Sequence, residues 1–256
     1  MNELVKPIDK YRNLFGRLPV IGMLHLAGED PVQRALQELS LFAEEGVSAA
    51  LIENYHGSLD TVIQTLQEIS QRRLNVHLGI NILPNKFRLA FPFAVHYGAA
   101  LIQMDHVAGK YDQGELDMPS YRGFRESFSD IFVLGGVWPK YYQPVMGSDL
   151  EKDLQDGMDR ADAIVVTGAG TGKETPLEKI NQFRALMGTF PLVVGAGSTP
   201  ENAYTQLQYA DGAIVGTSLK FENKTSNPVD RVWVRDFMDV VKEVRAYQEQ
   251  QEASSP

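Results

Sequence analysis

The chain has 256 residues, 43% of them hydrophobic, which is enough to bury a full core as one domain without disulfide or metal staples. Lys and Arg number 24 against 33 Asp and Glu, a formal charge of −9, so no sequence-wide basic field exists to attract nucleic acid or anionic lipid. Cysteine is absent, which excludes disulfides and thiolate metal sites and is compatible with a reducing, cytoplasmic compartment.

Met1 to Gly16 mixes Glu3, Lys6, Asp9, Lys10 and Arg12 with scattered apolar residues, so it lacks the apolar core of a secretory signal. Residues 1–18 read as a helical segment. From there on the chain alternates short apolar runs with helical patterns. Parallel strands covered on both faces give nearly unbroken apolar runs, and eight occur: Val20–Leu24, Ala50–Ile52, Val76–Ile80, Leu101–Met104, Ile131–Leu134, Ile164–Val166, Leu192–Val194 and Ile214–Val215. Their starts lie 22 to 33 residues apart, the cadence of repeated βα units. Helical stripes show at Val32, Ala35, Leu36, Leu39 and Phe42, and at Phe237, Val240, Val241, Val244 and Tyr247. Ser198-Thr199-Pro200-Glu201 carries the signature of a helix start. The two longest uncharged stretches, Leu89 to Met104 and Ala185 to Pro200, are equally long and fall short of the roughly 20 apolar residues that cross a bilayer, and the first contains Pro92 and His96. Residues 248–256 read as a polar, disordered tail.

Eight βα units predict an α/β fold, a single (β/α)8 TIM barrel over residues 19–247 with residues 1–18 beneath it. A dinucleotide fold has little support, because His25-Leu26-Ala27-Gly28-Glu29 follows the first strand in place of G-x-G-x-x-G.

In such a barrel the loops at the carboxyl ends of the strands form one mouth, so the residues after each run are the functional candidates. They are His25, Glu53-Asn54, Asn81, Asp105-His106, Lys140, Thr167-Gly168, Gly195-Ala196-Gly197-Ser198 and Gly216-Thr217-Ser218. The last two loops fit a phosphate. Several N–H donors must converge on the anion without side chains in the way, glycine permits that approach, and barrels often bind phosphate after strands seven and eight. A short extra helix beginning near Ser218 would help. The competing reading is that these glycines merely turn the chain.

Thr167 to Lys173 invites comparison with a nucleotide P-loop, but three residues rather than four separate its first glycine from Gly172-Lys173, and Glu174 follows. A lid, a second anion loop and a plain turn all remain open for this segment. Glu53 would stand beside an apolar wall, where desolvation raises a carboxyl's pKa toward a useful acid/base value; a simple hydrogen-bonding role is the alternative. Lys140 can stabilise charge, act as a Schiff-base nucleophile, counter a phosphate or pair with Glu53 or Asp105. His25 can transfer protons or be structural. Asn54 and Asn81 read as substrate-orienting amides. The five histidines include no H-x-H or H-E-x-x-H spacing, so no metal site is expected, and no cofactor motif is present.

Several motifs in fixed order carry more information than any one of them: Pro19 to Leu26, Ile52-Glu53-Asn54, Gly79 to Leu83, Thr167-Gly168 with Thr171-Gly172, Ala210 to Lys220, and Asn227-Pro228-Val229-Asp230. This set resembles the BtpA/SgcQ family from about Pro19 to about Val241. The resemblance implies a phosphate-binding TIM barrel, and the family's best-known members are implicated in biogenesis or stability of photosystem I. The chain departs from the family pattern in places. Gln103 stands where an arginine is usual, and Gly136 and Tyr141 replace an aspartate and a histidine around the retained Lys140. Gly57 replaces another aspartate, and the loop after His25 is short.

The expectation is an enzyme, an isomerase or lyase, acting on a small phosphorylated compound such as a sugar phosphate or nucleotide. Glu53, Lys140 and His25 are its catalytic candidates. Asn54, Asn81, Asp105, Thr167, Gly168, Gly195, Ala196, Gly197, Ser198, Gly216, Thr217 and Ser218 are its binding residues. A non-catalytic assembly factor that binds without turnover is the alternative. No nucleic-acid or membrane partner is expected, and a homo-oligomer stays open.

Overall fold

A computed structural model describes residues 6–72 and 75–254. Eight parallel strands, β1 (Val20–Leu24), β2 (Ala49–Glu53), β3 (His77–Asn81), β4 (Leu101–Met104), β5 (Phe132–Gly136), β6 (Ala163–Val166), β7 (Leu192–Val194) and β8 (Gly212–Val215), pair in sequence order. They close into a barrel, with Ile21 of β1 beside Ala49 on one side and Ile214 on the other. Each strand leads into a helix on the outside: α2 (Pro31–Glu44), α3 (Leu59–Ser70), α4 (Phe87–Tyr97), α5 (Met118–Ser127), α6 (Leu150–Arg160), α7 (Leu177–Met187), α8 (Pro200–Gln206) and α9 (Arg231–Ser254). Short polar side chains begin many of them. Asp30, Ser58, Asp117 and Asp149 accept hydrogen bonds from first-turn amides of α2, α3, α5 and α6, which satisfies donors that a helix start leaves orphaned.

The strand period of two sorts the core into two parts. Odd-numbered apolar residues of β1, β2, β4, β6 and β7, with even-numbered ones of β5 and β8, point inward: Ile21, Met23, Ala49, Leu51, Leu101, Phe132, Leu134, Ala163, Val165, Val193 and Ile214 form one buried cluster. The alternate residues, such as Ile52, Ile102, Val133 and Val194, pack outward under the helices in a second cluster. The inward cluster fills the lower barrel with hydrocarbon, as barrels of this class require.

A preceding helix, α1 (Pro7–Phe15), plugs the floor. Tyr11 and Phe15 are buried against Phe132, with ring centroids 6.0 Å and 5.2 Å away. Gly212 makes room for this plug: a Cβ there would lie 2.5 Å from the Tyr11 hydroxyl. Residues 1–5 of the helical segment read from the sequence lie outside the described residues.

The tail expected to be disordered over 248–256 is instead a continuation of α9 to Ser254, with residues 255 and 256 outside the described part. Arg17 holds it down with two hydrogen bonds to Glu252, at 2.7 Å and 3.0 Å, and Gln248 donates to the Leu207 carbonyl at 3.2 Å. Polarity there marks an exposed helix face docked at one edge, not a chain without structure. The extra helix expected near Ser218 is a single 3-10 turn, Thr217–Leu219. Among the described residues no helix is long and apolar enough to cross a membrane.

Phe15→Ala should therefore destabilise the whole barrel by about 3 kcal/mol, measured as a lowered urea midpoint with unchanged slope. A loss below about 1 kcal/mol would mean that α1 is an ornament on the floor and not part of the core.

Candidate functional site

The same alternation that fills the barrel with hydrocarbon decides what stands above it. One step past the apolar layers, the inward positions are His25, Glu53, Asn81, Gln103 with Asp105, Gly136, Thr167, Gly195 and Gly216, taken in strand order. All of them line a cavity of about 380 Å³ at the C-terminal mouth. Lys140, Ala196, Gly197 and Thr217 reach it from the loops.

Glu53 is 7% exposed and held by one oxygen: Oε1 accepts from Asn81 Nδ2 at 2.7 Å, while Oε2 lies 3.8 Å from His25 Nε2. Burial raises its pKa to about 7, with the Asp105 charge adding to the rise and the Lys140 ammonium and the Asn81 hydrogen bond opposing it. Asp105 is also raised by burial, against hydrogen bonds from the Tyr142 hydroxyl at 2.9 Å and the Asn85 amide at 3.2 Å. Both donors engage Oδ2, and Asp105 lines the cavity. His25 goes the other way. Burial first, then the charges of Lys220, His56 and Lys140, hold its pKa well below the ordinary value, so the imidazole is neutral. A carboxyl that titrates near neutrality beside a second carboxyl and an ammonium can donate and accept protons within one site.

The Lys140 loop is braced from outside. Thr167 Oγ1 accepts from the Lys140 amide at 2.6 Å, and Lys179 Nζ donates to the carbonyls of Trp138 and Thr167 at 2.9 Å and 2.8 Å. Tyr141 follows with φ +69°, a backbone region that non-glycine residues rarely adopt. Its carbonyl accepts from Gln113 Nε2 at 2.9 Å and its hydroxyl from the Thr171 amide at 2.8 Å, so this half-exposed ring is tied to the loops after β4 and β6.

The two glycine loops meet. Ser218 Oγ donates to the Ser198 carbonyl, joining residues 195–198 to 216–218. The loop after β6 lies against both: a Cβ on Gly197, at φ +66°, would come within 2.2 Å of the Lys173 carbonyl, and one on Gly172 would meet Thr217 at 3.1 Å. Thr175 Oγ1 donates to the Ala196 carbonyl at 2.9 Å. The Thr167–Lys173 segment is therefore a packed strap rather than a free lid.

Five of the residues read as functional candidates, Asn54, His106, Gly168, Ser198 and Ser218, do not line the cavity. Asn54 falls on the outward side of β2, where it clamps Leu83: Nδ2 donates to the Leu83 carbonyl at 3.3 Å and Oδ1 accepts the Leu83 amide at 2.7 Å. Gly168 lies against the backbone of Glu174 and Thr175. Ser198 donates to Gln206 Oε1 at 2.7 Å, and Ser218 is spent on Ser198. These are braces for the loops. Conversely, Tyr55 and Tyr142 line the cavity without any signal in the sequence reading, and Gln103 and Tyr141, noted there only as departures from the family pattern, line it as well. Gln103 was legible from parity alone, since it shares the inward side of β4 with Leu101. Among the described residues no group of three or more His, Asp or Glu gathers as metal ligands would.

A family model described as the BtpA family matches residues 18–243. The photosystem I biogenesis protein BtpA of Synechocystis is 28% identical, with 92% of each chain covered. An uncharacterized protein of Methanocaldococcus jannaschii is 29% identical over 85% of this chain and 92% of its own. Among solved structures, phosphoribosylanthranilate isomerase from Pyrococcus furiosus superimposes with a TM-score of 0.60 at 15% identity, over 88% of this chain and 99% of that one. A structure described as native KDPGal gives 0.58 at 14% identity, over 90% and 97%. These likenesses establish the fold.

The sign of the Glu53 effect on stability follows from its raised pKa. The folded state holds the proton more tightly than the unfolded chain, so this contribution is fully present below the unfolded value near 4.5 and is lost as pH rises through about 7. Glu53→Gln, which keeps an acceptor for Asn81, should gain stability over wild type at pH 8, on the order of 3 kcal/mol, and little at pH 4. Urea denaturation of both proteins across that range reads the difference, and a pH-independent gap would contradict the assignment.

Proposed function

The chain belongs to the BtpA family, and on that premise we propose that it is an enzyme acting on a small phosphorylated compound by acid/base chemistry. The phosphate sits on the loops after β7 and β8, and the reacting carbon sits beside Glu53, Asp105 and Lys140. The observation that carries this reading is the union of two glycine loops at a cavity that also holds a carboxyl that titrates near neutrality. Strand order sets β3 and β4, which carry Asn81 and lead to Asp105, across the barrel from β7 and β8, with Glu53 at the end of β2 between them, so the anion seat and these groups can address different parts of one ligand.

The chemistry suits an isomerase or lyase. Glu53, ionised, takes a proton from a carbon next to a carbonyl, while the Lys140 ammonium stabilises the oxyanion that develops; Asp105 or the now-protonated Glu53 returns a proton to the neighbouring atom. Positioned proton transfer of this kind contributes about 10²–10⁴-fold in rate, and fixed charge at the oxyanion is often worth more. His25, neutral, stands 3.8 Å from Glu53 and adds no positive charge beside it. The phosphoribosylanthranilate isomerases that share the fold are by name isomerases of a phosphoribosyl compound, which supports the substrate class.

A second reading, a binding protein without turnover that serves an assembly process, is favoured by the name of the Synechocystis relative and by the residues this chain lacks around Lys140. One experiment separates the two. Ribose 5-phosphate and ribulose 5-phosphate incubated with the protein in D2O should exchange the hydrogen next to the carbonyl, seen by proton NMR. Glu53→Gln should cut that exchange at least 100-fold while the ligand still raises the melting temperature. Binding without exchange supports the assembly reading. Thr217→Glu, which puts a carboxylate on the anion seat, should abolish the melting shift, and retention of the shift would remove the phosphate from that seat.

A further inference from the structure

We infer that the β3–β4 side of the cavity reads the hydroxyl groups of a phosphorylated sugar, through a set of buried hydrogen-bond acceptors that have no donor within the protein. The inference rests on the preceding reading, in which the loops after β7 and β8 hold the phosphate.

Asn81 supplies the first acceptor. Its side chain is almost wholly buried, and its Nδ2 donates to Glu53 Oε1 at 2.7 Å, which fixes the orientation of the amide and leaves Oδ1 turned away from that bond. Among the described residues Asn81 Oδ1 has no hydrogen-bond partner, and the same holds for Gln103 Oε1 on the neighbouring strand β4. Asn81 and Gln103 both occupy inward positions and both line the cavity. The carboxyls beside them are each half used: Glu53 Oε2 has His25 Nε2 no nearer than 3.8 Å, and the donors to Asp105 both sit on Oδ2. Four side chains, each with an acceptor oxygen that no donor among the described residues engages, thus line one space.

Buried acceptors without donors are uncommon in folded proteins, because each has lost its hydration and gained nothing in return. A ligand that restores the balance must bring donors. A carbonyl or a second phosphate would set oxygen against oxygen. An ammonium group would meet the Lys140 charge, which already acts on Glu53 and Asp105. An alkyl chain would leave the acceptors as they are. Neutral hydroxyl groups satisfy them, and several on adjacent carbons match acceptors carried on adjacent strands about 4.8 Å apart. With an anion seat across the barrel, the matching ligand is a short polyhydroxylated chain or ring with a terminal phosphate.

Isothermal titration calorimetry on the full chain tests this with three probes: inorganic phosphate, n-pentyl phosphate and ribose 5-phosphate. The last two carry the same terminal dianion on five carbons and differ in their hydroxyl and carbonyl oxygens. Ribose 5-phosphate should bind at least tenfold tighter than pentyl phosphate, and in Gln103→Leu that ratio should fall below threefold. The ligand comparison on the wild-type protein does not depend on the variant folding. A wild-type ratio below tenfold overturns the inference, even where pentyl phosphate or inorganic phosphate binds and the anion seat stands. A ratio that persists in a folded Gln103→Leu protein removes the hydroxyl-reading role from this side of the cavity. Failure of all three probes to bind overturns both this inference and the phosphate seat.

Discussion

An extended strand sends every second side chain to the same side, and bending eight such strands into a closed ring turns that rule into a column. In the lower part of the column, Ile21, Leu51, Leu101, Phe132, Val165 and Val193 exclude water, and Tyr11 and Phe15 stop its lower end. Two residues further along β2, β4 and β6, and four further along β1, the column ends in Glu53, Gln103, Thr167 and His25. The polar groups therefore stand on a dry, incompressible base. Glu53 titrates high because that base is beneath it, and no local sequence feature around residue 53 would produce the shift without the barrel.

The electrostatics of the mouth follow from how few of its charges are satisfied. Many ion pairs elsewhere in the molecule are surface contacts, such as Arg231 with Glu44 and Glu45, where solvent screens the gain. At the mouth, Glu53 and Asp105 share one nearby cation, Lys140, and each has a hydrogen bond to a single oxygen. Buried carboxyls held that loosely are poor structural devices, because removing the surrounding water is not offset by close pairing. They are suited to exchanging protons with something that enters. By contrast Lys220, equally buried, lies 3.5 Å from Glu38, which also accepts the Val229 amide at 3.0 Å, and so serves to fasten the last loop to α2.

Much of this was legible in the chain. Apolar runs at steady intervals gave the eight strands, and the polar residues that end them gave Glu53, Asp105, Lys140 and the two glycine loops. The errors have a common cause. Reading the residue after each run ignores which side of the strand it occupies: Asn54 and Gly168, on outward positions, do not line the cavity, while Gln103, inside the run and on the inward side, does. The serines 198 and 218 illustrate a second limit: a hydroxyl beside glycines looks like an anion donor until its partner across another loop is known. The tail failed for a third reason, since Glu252 is merely polar in the sequence and becomes an anchor only when Arg17 is brought beside it.

Tyr141 rests on Gln113 and Thr171, and neither partner handles protons. Admission to the cavity is thus written in three residues, Tyr141, Gln113 and Thr171, that are not themselves the reacting groups. Drift at those residues can change which molecules get in while the reacting groups keep their geometry, so members of one lineage can come to differ in diet before they differ in trade.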